Sequence, residues 1–138
     1  GRAVLAVWGP RERNPWLSLL FDAVAAQVGH PVPPPGVPGP FALADADRLA
    51  DLLRDAGLVD VTVEDVAVPL RVGSFEQWWT RTSALAGPLA GMLAAMPEPA
   101  REAIRARLRG DLAPYATADG LELPGVTLLA AARRPVST

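Results

Sequence analysis

Six consecutive apolar residues, Ala3-Val4-Leu5-Ala6-Val7-Trp8, stand between Arg2 and the breaker pair Gly9-Pro10. An unbroken apolar run of this kind predicts a strand over residues 2–8 that is covered on both faces. The run begins without a starting Met and with no earlier element to pair with. The chain therefore reads as the second half of an α/β domain.

The remaining elements follow from their punctuation. Asn14 stands at the cap of a helix with Pro15 at its first position. Leu17, Leu20, Phe21, Val24 and Val28 recur at helical spacing up to Gly29. His30 to Pro40 holds six prolines and two glycines. That composition excludes helix or central strand and predicts a stiff, extended connector within one domain. Asp45 opens a second helix with Leu49, Leu52, Leu53 and Ala56 as its apolar stripe and Gly57 as its stop. Val59, Val61 and Val63 then alternate with polar residues, and the alternation resumes one residue out of phase at Val66, Val68 and Leu70. One long strand with a β-bulge at Glu64-Asp65 is expected.

Ser74 and Gln77 form a capping box for a third helix, which Gly87-Pro88 interrupts. A fourth helix places Leu89, Met92, Leu93 and Met96 on one face. A fifth runs from about Glu98 to Tyr115, with Ile104, Leu108 and Leu112 inward and Arg101, Arg105 and Arg109 on a solvated face. Leu121 to Ala132 reads as the last strand. The expected order is strand, helix, Pro-rich link, helix, strand, three helices, strand.

Composition narrows the chemistry. The 138 residues are 50% hydrophobic, enough for one domain with a core. The net charge of -2 does not favour nucleic acid or an anionic membrane as partner. Without Cys there is no disulfide, zinc–thiolate site or Cys nucleophile, and the single His30 leaves no His-rich metal site. All 13 basic residues are Arg, which fits codon usage in a high-GC bacterial genome. No stretch approaches the ~20 apolar residues of a membrane span, and the cytoplasm is the default compartment.

The order of pieces carries a resemblance. Gly1-Arg2-Ala3-Val4-Leu5-Ala6-Val7-Trp8-Gly9-Pro10, with Glu12-Arg13-Asn14-Pro15-Trp16 after it, resembles the fifth strand and following loop of class I S-adenosylmethionine-dependent methyltransferases. Within that class it is most similar to the ubiquinone/menaquinone-biosynthesis-like enzymes, the methyltransferase type 11 group. Phe41-Ala42-Leu43-Ala44-Asp45 and Leu52-Leu53-Arg54-Asp55-Ala56-Gly57-Leu58 resemble the segment before strand six. Phe75-Glu76-Gln77-Trp78-Trp79 and Asp119-Gly120-Leu121-Glu122-Leu123-Pro124 resemble the lid helices and the approach to strand seven. The resemblance implies a partial Rossmann-like fold of strands five, six and seven in which strand seven is antiparallel and lies between the other two. Residues 73–116 would be a helical substrate cover inserted before the last strand of the single domain 1–138.

The family holds S-adenosylmethionine with a Gly-rich turn after strand one and an acidic residue after strand two. Neither is in this sequence, so no cofactor-binding residue carries over. Either an upstream half has been removed or the chain is a non-catalytic remnant. The implied activity is methyl transfer to a small apolar metabolite in the intact protein, with this chain as the substrate side and inactive alone.

Ligands of open α/β sheets sit beyond the carboxyl ends of the strands. Trp8, Asn14 and Trp16 are accordingly substrate-binding candidates, as aromatic walls with one orienting amide. Phe75, Trp78, Trp79 and Met92, with Met96, form a second group on the lid. Each has a structural alternative: Asn14 as a helix cap, the aromatic residues as core. His30 reads as a loop residue, and Glu64 and Asp65 as bulge and surface. Ser18, Ser74 and Ser83 lack a nearby His and an elbow motif, which argues against a hydrolase. A different expectation is a stand-alone domain that binds a hydrophobic ligand and forms a homodimer through the open edge of its first strand. A helical transcription regulator is disfavoured by the negative charge.

Overall fold

A computed structural model describes residues 1–137. The chain runs β1 (Arg2–Trp8), α1 (Pro15–Val28), α2 (Ala46–Asp55), β2 (Val59–Ala67), β3 (Leu70–Val72), α3 (Phe75–Leu85), α4 (Pro88–Ala95), α5 (Glu98–Leu112), β4 (Ala116–Thr117), β5 (Gly120–Leu123) and β6 (Val126–Arg133). It is a mixed α/β structure with two three-stranded sheets, ordered β1-β6-β2 and β3-β5-β4. Strand β6 is antiparallel to both β1 and β2, so those two run in the same direction.

Two long strands expected from sequence are each divided. The segment from Val59 to Leu70 leaves the first sheet after Ala67 and re-forms as β3 in the second. The segment from Leu121 does the same in reverse, between Leu123 and Val126. Pro69 and Pro124 sit at these breaks, where a residue without an N–H cannot extend a ladder. The two crossings are joined, because Val68 N donates to Gly125 O at 2.8 Å. Gly125 is required there: a Cβ on it would lie 2.3 Å from the Val68 carbonyl oxygen. No bulge lies at Glu64-Asp65: pairing with β6 is regular from Thr62 to Ala67, and the phase changes because Val66 stands on the open face of the sheet while Val61 and Val63 stand on the covered one. The actual irregularity lies between Val59 and Thr62, at Asp60 with φ 52°. Asp tolerates that left-handed conformation better than most residues, and its carboxylate binds Arg133 Nε at 2.6 Å across the sheet.

The sheet β1-β6-β2 is covered on one face. Leu49 and Leu53 of α2 pack on Leu128 and Ala130, with Val7, Val61 and Val63 at the margin. Leu52, expected in that stripe, is 44% exposed. The opposite face carries Val4, 64% exposed, with Leu129 and Val66 also exposed. The expectation that β1 is covered on both faces therefore does not hold for the described residues. Its outer edge pairs with no described strand.

The larger core lies among the helices. Leu20, Phe21 and Val24 of α1, Trp78 of α3, Leu89 and Leu93 of α4, and Ile104, Leu108 and Leu112 of α5 are buried together. Caps set the helix boundaries. Asp45 accepts from Arg48 N at 3.0 Å. Ser74 accepts from Gln77 N at 3.1 Å, the capping bond read from sequence, while Gln77 Oε1 reaches back one residue past the cap to accept from Gly73 N. The arginine row of α5 is not simply solvated. Arg105 lies over the Phe75 and Trp79 rings, Arg109 lies over Phe75, and both bind Glu76. Charge-assisted bonds and aromatic faces thus clasp α5 to α3.

Candidate functional site

The loop after β1 makes a short 3-10 turn over Arg11–Arg13 and delivers Asn14 into the interior, where it is fully buried. Its side chain makes no cap bond to α1. Instead Asn14 Nδ2 donates to the carbonyls of Gly9, Pro10 and Val126, at 3.2, 3.0 and 3.1 Å. Asn14 Oδ1 accepts from Val126 N at 3.0 Å and from Trp16 Nε1 at 3.1 Å. The amide is saturated by protein groups and offers nothing to a ligand. Asn14 holds the cap position of α1 read from sequence, its carbonyl accepting from Leu17 N and Ser18 N, while its side chain serves as a brace between the β1–α1 loop and the start of β6.

The tryptophans continue this brace. Trp8 and Trp16 pack with ring centroids 4.8 Å apart. Trp78, fully buried, donates its indole N–H to the Trp16 carbonyl at 3.1 Å, and Phe75 packs on Trp78 at 5.8 Å. Trp16 and Trp78 are therefore core residues that join α1 to α3, not walls of a substrate cavity. Trp79 lies under Arg105 and beside a shallow surface concavity with Ser83, Ala90 and Arg101. Ser83 is engaged locally, its hydroxyl donating to the Trp79 carbonyl.

Met92 is the sequence candidate that lines a substantial cavity. Its cavity is about 430 Å³ and lies between the Pro-rich segment, Phe21 of α1 and the α3–α4 junction, with Leu85, Ala86 and Leu89 beside Met92. A second cavity of about 530 Å³ shares Phe21, Val32, Val37 and Pro38 with it and ends at Arg11, Asp22 and Phe41. Both hollows are lined by the Pro-rich segment, and the two make up the trough beside it. Sequence reasoning missed Phe21, Val32, Val37 and Phe41. The available signal was apolar residues interleaved with prolines, a pattern that gives a stiff apolar surface without regular structure.

Electrostatics around this trough are spare. Arg11 Nη2 and Asp22 Oδ1 pair at 2.8 Å at its polar end, both partly exposed. The clearest perturbation lies elsewhere, at Glu76. The Arg109 guanidinium, bonded at 3.0 Å, holds the Glu76 carboxyl below its usual range; desolvation opposes this and Arg105 reinforces it. His30 Nδ1 is 3.2 Å from the Pro31 carbonyl on an exposed loop, outside the trough lining. Among the described residues, no cluster of three or more His, Asp or Glu side chains is arranged to hold a metal ion. None of the described helices is long and apolar enough to cross a membrane.

Among the described residues, the glycines do not make up a Gly-rich turn of the kind that seats S-adenosylmethionine. Glycines at positive φ end helices (Gly29, Gly57), lie in the Pro-rich segment (Gly36), separate α3 from α4 (Gly87) or start β5 (Gly120). Gly9 and Gly73 do stand between a strand and a following helix, but their N–H groups are already taken, by the Val126 carbonyl and by Gln77 Oε1. In comparisons with known proteins, no family model matches the chain and no curated protein is significantly similar to it.

Proposed function

We propose that this chain supplies the acceptor-binding side of an S-adenosylmethionine-dependent methyltransferase and that the trough beside the Pro-rich segment seats a small, largely apolar acceptor. The observation that carries this reading is the sheet. Its last strand, β6, is central and antiparallel to two strands that run the same way. That is the order the resemblance implies for strands five, seven and six. The trough adds the substrate class, since its Met92 end is lined almost wholly by apolar side chains. In this reading Phe21, Leu89 and Met92 hold the acceptor and exclude water, while the methyl donor is held by residues outside the sequence described here. Positioning and dryness are what methyl transfer asks of a protein, and neither a metal nor a thiol is needed.

The test is label transfer by the protein as the cell makes it. Methyl-labelled S-adenosylmethionine is incubated with that protein and an organic-soluble metabolite extract. Label in a small organic-soluble product is expected, and Met92→Trp should diminish it. A protein that binds the donor yet labels nothing would remove the proposal.

The open edge of β1 favours a second reading. A domain that binds a hydrophobic ligand without catalysis and pairs with a second copy through β1 would also cover this edge. The two edges of the sheet differ: β2 carries an irregularity at Asp60 and charges at Glu64 and Asp65, whereas β1 has no charge from Ala3 to Trp8. Charges and irregularities are what keep strands from adding to an edge.

A further inference from the structure

We infer that the trough selects an elongated ligand with an apolar body and an uncharged hydroxyl or carbonyl head, the head lying at Arg11 and Asp22. This rests on reading the trough as the acceptor's seat. The two cavities share Phe21, Val32, Val37 and Pro38 in their linings, and on this inference they are the two ends of one site, with Met92 at one end and Arg11 at the other. Their sizes, about 430 and 530 Å³, fall in the range of small-molecule sites. The body is accounted for by Phe21, Leu85, Leu89 and Met92 at one end.

The head is constrained by what polar groups remain free. Prolines offer no N–H, and two backbone donors of the wall are already used: Val37 N on the Pro34 carbonyl and Ala42 N on the Gly39 carbonyl, both at 3.1 Å. The charged groups at the other end are Arg11 and Asp22, and they neutralise each other at 2.8 Å. A carboxylate head would meet the Asp22 charge, and an ammonium head would meet Arg11. A hydroxyl avoids both conflicts: it accepts from the guanidinium and donates to the carboxylate. A carbonyl can accept from the guanidinium alone. The balanced pair thus filters by charge, and the apolar end filters by shape.

Calorimetry at pH 7 with hexan-1-ol, hexanoate and hexylamine reads this directly. The unmodified protein should prefer the alcohol over either ion by roughly fivefold, the scale of one partly exposed charge contact. Asp22→Asn leaves Arg11 unbalanced and should raise hexanoate above the alcohol. Arg11→Gln leaves Asp22 unbalanced and should raise hexylamine. Both residues are partly exposed, so the variants are expected to fold, which circular dichroism checks. A preference for either ion in the unmodified protein, or an order unchanged in both variants, overturns the inference. No methyl donor is present, so the two readings fail separately. Alcohol preference without label transfer defeats the methyltransferase reading alone, and label transfer with ion preference defeats this one alone.

Discussion

Asn14 and Val126 exchange two hydrogen bonds, Val126 N to Asn14 Oδ1 at 3.0 Å and Asn14 Nδ2 to Val126 O at 3.1 Å. The side-chain amide thereby imitates one rung of a β ladder, with both partners buried. Removing it strands the Val126 N–H and the Trp16 indole N–H together. Asn14→Ala is expected to cost about 2–4 kcal/mol, because buried donors lose partners that water cannot fully replace. A urea titration should show a lower midpoint at unchanged slope. A loss under about 1 kcal/mol would mean that water fills the site.

Thr82 predicts the opposite sign. It is 1% exposed on α3, and its hydroxyl has no hydrogen-bond partner. Thr82→Val keeps the shape and deletes a desolvated polar atom, so it should stabilise the fold by about 1 kcal/mol. Thermal melts of the two proteins compare this directly, and destabilisation would reveal an ordered water on the hydroxyl.

Glu76 gives the protein a pH-dependent component. Arg109 and Arg105 depress its carboxyl in the folded state, so the unfolded chain binds the proton more readily. The stabilisation is complete above the ordinary glutamate range and is lost as pH falls through the depressed folded value. Glu76→Gln should flatten that part of the acid limb of stability and leave behaviour near pH 8 and above little changed in slope. Because the site is exposed, added salt should shrink the difference. An acid limb identical in both proteins would show that the α3–α5 clasp rests on the aromatic contacts alone.

The β1 edge predicts association. Sedimentation equilibrium should find a concentration-dependent dimer, and Val4→Lys should leave a monomer that melts like the parent at low concentration. Val4 is 64% exposed, so lysine there disturbs the edge and face without opening a core. A parent chain that stays monomeric at high concentration removes the dimer reading.

Met92 tests the cavity by filling it. At 37% exposure, Met92→Trp should change stability by less than about 0.5 kcal/mol. It should weaken hexan-1-ol binding about tenfold, since an occupied volume cannot also take the ligand. Unchanged binding would place the alcohol elsewhere.

Legibility in the sequence followed the strength of local signals. The helices were readable because Pro15, Asp45, Ser74-Gln77 and Gly29 act within one turn of themselves. The divided strands were not, since Pro69 and Pro124 needed knowledge that Val68 and Gly125 meet across 57 positions of chain. The bulge was misplaced because a phase change shows only that the apolar residues have moved to the other face, as Val66 has, and not that the backbone is irregular there. At the site, residue type misled. Tryptophan and asparagine suggest ligand contacts, yet Trp16, Trp78 and Asn14 satisfy one another in the interior, while the trough is walled by residues whose only signal was lying among prolines.

The Pro-rich wall has a consequence for how the trough can change over generations. Its shape comes from ring constraints and internal turns, not from a ladder shared with other strands. Swapping the exposed Val37 for another apolar residue therefore alters the contour a ligand meets without disturbing sheet register or helix packing. Much of the ordering cost of that wall is met in the free protein, so a new ligand need only match a surface that is already fixed. A segment without regular structure is thus the part of this fold best suited to acquire new specificity.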